Sequence, residues 1–266
     1  YIHGTHEEEQ ARLLTLNSLL NQRCLNKIEL KGHENVLDIG SGLGVFSRML
    51  ARDLPAGRVV GVEKSADQLN KCLKLASEDR ENDLVDFRSG GAYDLPLLTE
   101  EWGHFDLVFI RFLLEHLAQP VKALQQAKKA LKPGGRIILV DDDHANFRIA
   151  PATSAFDRMW QIYCQVYDQM GNDPFVGRHL VSLLHQAGFR DFKIDFVLFG
   201  AAKSEANFMH YANNLMGILK GAKAEIMKVG KMDEPAFEQD LDSIRSWSQK
   251  QDATLWYPAN WAEGVC

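Results

Sequence analysis

The residues with the clearest chemical potential fall at three places in the chain. In "VLDIGSGLGVF", Val36 to Phe46, the glycines Gly40, Gly42 and Gly44 directly follow an apolar run that contains Asp38. Downstream, "RVVGVEK" ends in Glu63 and Lys64, and "RIILVDDDH" runs into Asp141, Asp142, Asp143 and His144. Glycines lacking a Cβ let the backbone turn sharply and approach a ligand closely. A helix opening behind such a loop aims its free N–H groups at the same place.

Several ligand classes use a loop of this kind, and the spacing separates them. The dinucleotide fingerprint G-x-G-x-x-G would need glycine at Val45, whereas this loop reads G-x-G-x-G. The Asp38 carboxylate would repel a pyrophosphate, and without a following Gly-Lys-Ser/Thr the loop is no P-loop. An ammonium group, by contrast, would be drawn to Asp38. Glu63 closes the second predicted strand, the position from which a carboxylate accepts hydrogen bonds from the two hydroxyls of a ribose. Ammonium and ribose together point to S-adenosylmethionine. On the plainer reading, Asp38 caps the turn and Glu63 is an exposed strand end.

Transfer from an activated sulfonium requires alignment of a nucleophile and, for a hydroxyl or protonated amine, a base. His144 is the candidate base, because the ordinary histidine pKa lies near working pH, and Asp143 is its catalytic companion. Alternatively, Asp142 and Asp143 cap the next segment and His144 only lines a pocket. A metal site on residues 141–144 is set aside, because successive loop residues rarely converge and no other ligand is marked. No metal is therefore expected. His116 in "LLEHL" reads as a packing residue at the start of a helix.

These residues need a frame. Short β-branched runs, "NVLDI", "RVVGVE", "VDFRS", "FDLVFI" and "RIILVD", alternate with helical segments, as in a parallel sheet with crossover helices. Upstream, Thr5 and Glu8 fit a capping box, and Leu13, Leu16, Leu20 and Cys24 recur at helical spacing. Past the fifth strand, Phe156, Met159 or Trp160, Tyr163, Tyr167 and Met170 trace a stripe that reads as a packed face. "HLVSLLHQAGF" predicts a helix, "FKIDFVLFG" a strand and "ATLWYPANWAEGV" a closing strand. Between the last two, Phe208, Tyr211, Leu215 and Ile218 mark one helix, and Asp233 with Pro235 opens another.

The 266 residues, 45% hydrophobic and 25% charged, suit one globular α/β domain rather than a disordered chain. A formal net charge of -6 argues against a long nucleic acid as partner. Cys24, Cys72, Cys164 and Cys266 stand far apart, as in a reduced, cytoplasmic protein. No apolar run is long enough to cross a bilayer, so no membrane association is expected. Oligomeric state and the identity of a methyl acceptor are not legible.

"VLDIGSGLG", Glu63, "GGAYDLP", "FDLVFIRFLLEHL" and "LKPGGRIILVD" resemble the successive motifs of class I S-adenosylmethionine-dependent methyltransferases, from Asn35 to Asp142. "YIHGTHEEEQARL" is similar to the N-terminal helix of a stand-alone small-molecule subgroup. The resemblance implies a doubly wound, mostly parallel, seven-stranded Rossmann-like sheet with helical insertions as a cover. One domain over 1–266 would comprise a lid (1–30), a cofactor core (35–145) and cover helices (148–175 and 204–250). It makes Asp38, Gly40 and Gly42 contacts of the aminocarboxypropyl group, and Glu63 the ribose clamp with Lys64 beside it. Ala92 and Tyr93 would border the adenine, Arg111 would offer backbone groups to the ammonium, and Tyr1 and Arg12 would close from the lid. The family often has Asp where Gly91 stands, so Asp94 or a backbone carbonyl must serve here. Trp160, Tyr163, Tyr167, Phe208 and Met216 would wall a largely apolar acceptor pocket. The expected reaction is methyl transfer to a small apolar or aromatic molecule, leaving S-adenosylhomocysteine. Chemistry on the aminocarboxypropyl arm, or a binding module without activity, are the alternatives.

Overall fold

The computed structural model describes residues 7–266. Tyr1, His3 and the Thr5 cap lie outside the described residues. Helix α1 (Glu7–Leu25) leads into β1 (Asn35–Ile39), α2 (Val45–Arg52), β2 (Arg58–Glu63), α3 (Ala66–Glu78) and β3 (Asp86–Ser89). The chain then crosses back to β4 (Phe105–Arg111), α4 (Pro120–Ala130) and β5 (Leu131–Asp141). A short strand β6 (Arg148–Ala150), α5 (Ser154–Gln169), α6 (Leu180–Gln186) and β7 (Arg190–Ala202) follow. The chain ends with α7 (Phe208–Gly221), α8 (Lys223–Gly230), α9 (Glu234–Trp247) and β8 (Thr254–Val265).

Strands β3, β2, β1, β4 and β5 lie side by side in that order and all parallel. β8 adds antiparallel to β5, and β7 pairs antiparallel along the length of β8. β5 pairs with β8 only from Asn260 onward, and β6 takes the remaining stretch, Thr254 to Trp256. The described residues thus form an eight-stranded sheet rather than seven, the addition being the three-residue β6. Strand order reverses between β1 and β4, which leaves a crevice beyond their carboxyl ends.

Burial on both faces explains the strand sequences. In β4, Leu107 to Ile110 are all solvent-inaccessible. Leu107 and Phe109 enter the core shared with α1, α2 and the helices α5, α7, α8 and α9, while Val108 and Ile110 enter the core under α4 and α6. A strand covered on both sides reads as a continuous apolar run instead of an alternation. Ser65, Thr153 and Asp233 cap α3, α5 and α9 by accepting the N–H of Gln68, Phe156 and Ala236.

The stripe on α5 does two jobs. Phe156 and Met159 pack in the core, whereas Trp160, Tyr163 and Tyr167 also face a cavity. Phe208 and Met216 are buried but do not line that cavity, contrary to the sequence expectation. Phe208 packs against Trp247 of α9, holding the cover helices together, with ring centroids 5.7 Å apart. Met170 ends the helix and is exposed.

Candidate active site

The crevice opens into a cavity of about 600 Å³ between the sheet's carboxyl edge, α1 and the cover helices. Its floor is the loop after β1. Gly40 and Gly42 adopt φ of +80° and +55°, a region L side chains avoid, and both line the cavity. Gly44 serves packing instead, since a Cβ there would collide with Cys72 and Phe87.

Asp38 sits at the loop's root, buried, and accepts the Ser47 hydroxyl at 2.5 Å. Burial raises its pKa to about 6, against the opposing pull of Ser47 and Arg111. Glu63 is fixed at the rim, accepting the N–H of Gly42 at 2.9 Å and of Ser65 at 2.7 Å. Its carboxylate is thereby held in one orientation beside the loop, with Lys64 next to it on the cavity wall. The Ser41 hydroxyl, also on this wall, is buried without a hydrogen-bond partner. An unmatched buried hydroxyl costs free energy unless a ligand completes it. Together, an acid at the root, an oriented acid at the rim and an unmatched hydroxyl between them fit the ammonium and ribose of S-adenosylmethionine.

The adenine side is less complete. Ala92 and Tyr93 do not line the cavity. Tyr93 instead accepts the Gln119 N–H at 3.1 Å, with Lys122 over its ring at 5.6 Å. Gly91 pairs with Asp94 in a one-residue bridge, and only Lys64 would meet a side chain added at Gly91, at 3.9 Å. Space is therefore open where the family often carries its Asp.

Two arginines tie α1 over the opening. Arg111, at the end of β4, donates to Asn17 at 2.7 Å and stacks over Phe46 at 4.7 Å. Arg12 donates to Asn214 of α7 at 2.7 Å. Both line the cavity, as do Leu13, Leu16 and Leu20.

The far end holds a buried polar cluster. Phe112 adopts a left-handed φ of +50°, and the Asp141 carboxylate accepts the N–H groups of Leu113 and Leu114 at 3.1 and 2.8 Å. This pins the turn Leu114–His116 so that Glu115 faces inward. His144 comes from the turn after β5 and is 3% exposed, ringed by Trp160, Tyr163, Tyr167 and Tyr257. Its Nδ1 meets the Tyr257 hydroxyl at 2.7 Å, and its Nε2 lies 3.2 Å from Glu115 Oε2. Burial alone would lower the His144 pKa; Glu115, Asp142 and Asp143 outweigh it, and the net shift is upward. Asp142 joins His144 and Glu115 in the lining.

Asp143 does not. It binds Arg178 through both oxygens, at 2.7 and 2.8 Å, and caps the turn at Ala145, while the ring nitrogens of His144 meet Tyr257 and Glu115 instead. His116 lies 3.4 Å from Glu115 and stacks on Tyr167. Sequence reasoning missed Glu115, Tyr257 and Ser41 as site residues. Glu115 carried a signal, an acid inside the apolar "FLLEHL"; Tyr257 in "LWYPANW" carried none.

Fold and site define a class: a doubly wound sheet whose first loop and second-strand acid face one cleft. The sequence model of a family described as a methyltransferase domain matches residues 30–188. The chain belongs to this family, the class I S-adenosylmethionine-dependent methyltransferases. It is 28% identical over 194 residues to a demethylmenaquinone methyltransferase of Lactiplantibacillus plantarum, covering 68% of this chain and 81% of that one. With an uncharacterized methyltransferase of Schizosaccharomyces pombe it shares 30% identity over 57% of this chain and 55% of that one. The chain spans about half the length of two curated relatives, the Schizosaccharomyces protein among them. In fold it resembles the crystal structure of a putative methyltransferase from Bacillus halodurans, with a TM-score of 0.58 at 17% identity, covering 92% of this chain and 97% of that one. Among the described residues, no helix is long and apolar enough to cross a membrane.

Proposed function

We propose that this protein transfers the methyl group of S-adenosylmethionine to a small, largely apolar or aromatic acceptor carrying a hydroxyl or amine. The observation that carries this reading is that one cavity joins the Asp38–Glu63 loop at one end to the buried Glu115 and His144 and the half-buried Asp142 at the other, with aromatic walls between. The cofactor supplies a methyl already activated on sulfonium, so the protein's work is alignment and proton removal.

Asp38 takes the ammonium, Gly40, Gly42 and Ser41 receive the aminocarboxypropyl chain, and Glu63 accepts from the ribose hydroxyls. Arg12 and Arg111 hold α1 closed over this end and supply positive charge near the carboxylate. Trp160, Tyr163, Tyr167 and Tyr257 exclude water and confine a flat or apolar acceptor. His144 is oriented by Tyr257 and removes the acceptor's proton, and Glu115 holds the resulting imidazolium. The related demethylmenaquinone enzyme makes a ring-bearing acceptor a reasonable first choice in a screen.

Product analysis with a panel of phenols, quinols and amines tests the reading. S-adenosylhomocysteine is expected. Methylthioadenosine would replace methyl transfer by arm chemistry, and cofactor binding without either product would make the chain a binding module. Glu63→Ala should weaken S-adenosylmethionine binding by about 1.5–3 kcal/mol in calorimetry, the loss of charge-assisted hydrogen bonds. An unchanged affinity would remove Glu63 from the site.

A further inference from the structure

We infer that Glu115, Asp142 and His144 form a binding site for a divalent first-row cation, of which Mn²⁺ is the representative probe. The inference rests on the reading that the acceptor meets this end of the cavity, and it changes how that acceptor loses its proton.

The three residues come from different turns, Glu115 after β4 and Asp142 and His144 after β5, yet one potential ligand atom from each lies within 4.8 Å of the others. Donors held 2.0–2.2 Å from one ion stand about 3–4.4 Å apart, so side-chain rotations of a few tenths of an ångström suffice. The sequence reasoning against a metal, that neighbours in one loop do not converge, fails because Glu115 arrives from elsewhere.

The second observation is independent of proximity. Glu115 Oε2, Asp142 Oδ1 and His144 Nε2 are buried atoms without a hydrogen-bond partner, although the first and last approach to 3.2 Å. Glu115 and His144 are each more than nine-tenths buried. Three converging lone-pair donors, with no polar contact among the described residues beyond the one Glu115–His144 approach, are what a cation completes, whereas ordinary buried polar groups are fully paired. The surroundings are also those of ligands. His144 Nδ1 is engaged by the Tyr257 hydroxyl at 2.7 Å, which fixes the ring and leaves Nε2 for coordination. Asp141 fixes the backbone that presents Glu115, through Leu113 and Leu114.

Two carboxylates favour a hard ion and one imidazole a borderline one, and Mn²⁺ lies in the overlap. Three protein donors leave coordination positions open toward the cavity. An acceptor with a hydroxyl oxygen, above all one with a second oxygen beside it, would occupy them. Its O–H proton would pass to solvent as the oxygen binds the cation, and the oxygen would keep the electron pair with which it attacks the methyl carbon. The S–CH₃ bonding pair would stay on sulfur. His144 is then a ligand and not the base.

The test is titration of the untagged full chain with MnCl₂ alone, followed by the electron paramagnetic resonance signal of free Mn²⁺, which binding suppresses. One equivalent is expected to bind, to be displaced by Zn²⁺ and to be released by EDTA. Glu115→Gln and Asp142→Asn should each weaken binding at least tenfold while S-adenosylmethionine still binds in calorimetry, which also reports that the variants are folded. No suppression by the wild-type chain, or equal affinity in the Asp142→Asn variant, overturns the site. Because the cofactor is measured separately, a wild-type chain that binds S-adenosylmethionine but not Mn²⁺ counts against this inference and leaves the methyltransferase reading standing. Failure of the wild type to bind the cofactor counts against that reading instead.

Discussion

At the scale of single residues, Asp38 carries the sharpest consequence. An ammonium ligand needs its ionised form, yet burial lifts its pKa from an ordinary 3.8 to about 6. Binding of S-adenosylmethionine must therefore release a proton in mildly acidic solution. Calorimetry should show affinity about tenfold weaker at pH 5 than at pH 7.5, because only about a tenth of Asp38 is ionised at the lower value. Asp38→Asn should bind weakly at both. The same shift has a stability sign. A carboxyl whose folded pKa is raised contributes stability that is present below pH 3.8 and is lost as pH climbs through about 6. Relative to Asp38→Asn, the wild type should thus lose roughly 3 kcal/mol across that window, read from urea midpoints of both proteins. Parallel midpoints would place the Asp38 pKa at its ordinary value. How far these roles were legible varied with the type of residue. Asp38 and Glu63 could be read because a loop and a strand end fix their direction. Glu115 could not, because its inward aim depends on the left-handed turn at Phe112 and on Asp141 from another strand.

Among the elements, α1 bears most directly on function. It contributes Arg12, Leu13, Leu16, Asn17 and Leu20 to the cavity wall and is fastened by polar contacts to β4 and α7. Arg12 also passes close over Gly217, where an added Cβ would stand 2.9 Å from its Cδ. Leu20 and Cys24 anchor the second half of α1 in the core, whereas its first half, around Arg12, is held by half-exposed hydrogen bonds and belongs to the less stable parts of a fold, as a closing element must. Arg12→Ala should lower S-adenosylmethionine affinity several-fold and cost the fold only about 1 kcal/mol, the worth of one such hydrogen bond. Equal affinity would mean that α1 packs without closing. The heptad-like leucines predicted this helix; its partners, Asn214 and Arg111, lie far along the chain and were not readable from spacing.

For the whole molecule, one core joins the sheet to the cover. Phe46, Phe109 and Val140 from the nucleotide-binding half belong to the same cluster as Tyr163, Phe208, Phe237 and Trp247 from the helices that roof it. A cover that shares its core with the sheet should not melt separately. Urea unfolding followed by the fluorescence of Trp160 and Trp247 in the cover, with Trp102, Trp256 and Trp261 replaced by Phe, and by far-ultraviolet dichroism should give coincident transitions. Phe109→Ala, at the sheet's fully buried centre, should shift both midpoints together by about 3–5 kcal/mol. Separate transitions would show that the cover is a second folding unit.

The sequence by itself determined the order of strands and helices from Asn35 to Asp141, the glycine loop and the acids Asp38 and Glu63 beside it. Those features are written in local periodicity and in residues whose direction the adjacent strand or turn dictates. Only the tertiary structure decided what the cavity's far end is made of. There Glu115, Asp142, His144 and Tyr257 meet from three segments, because β8 returns antiparallel beside β5 and the crossover after β4 is pinned to it. It also turned Asp143 toward Arg178, a half-exposed cation that binds both of its carboxylate oxygens. Convergence over long chain separations leaves no pattern in a single sequence, for it depends on packing that no spacing encodes.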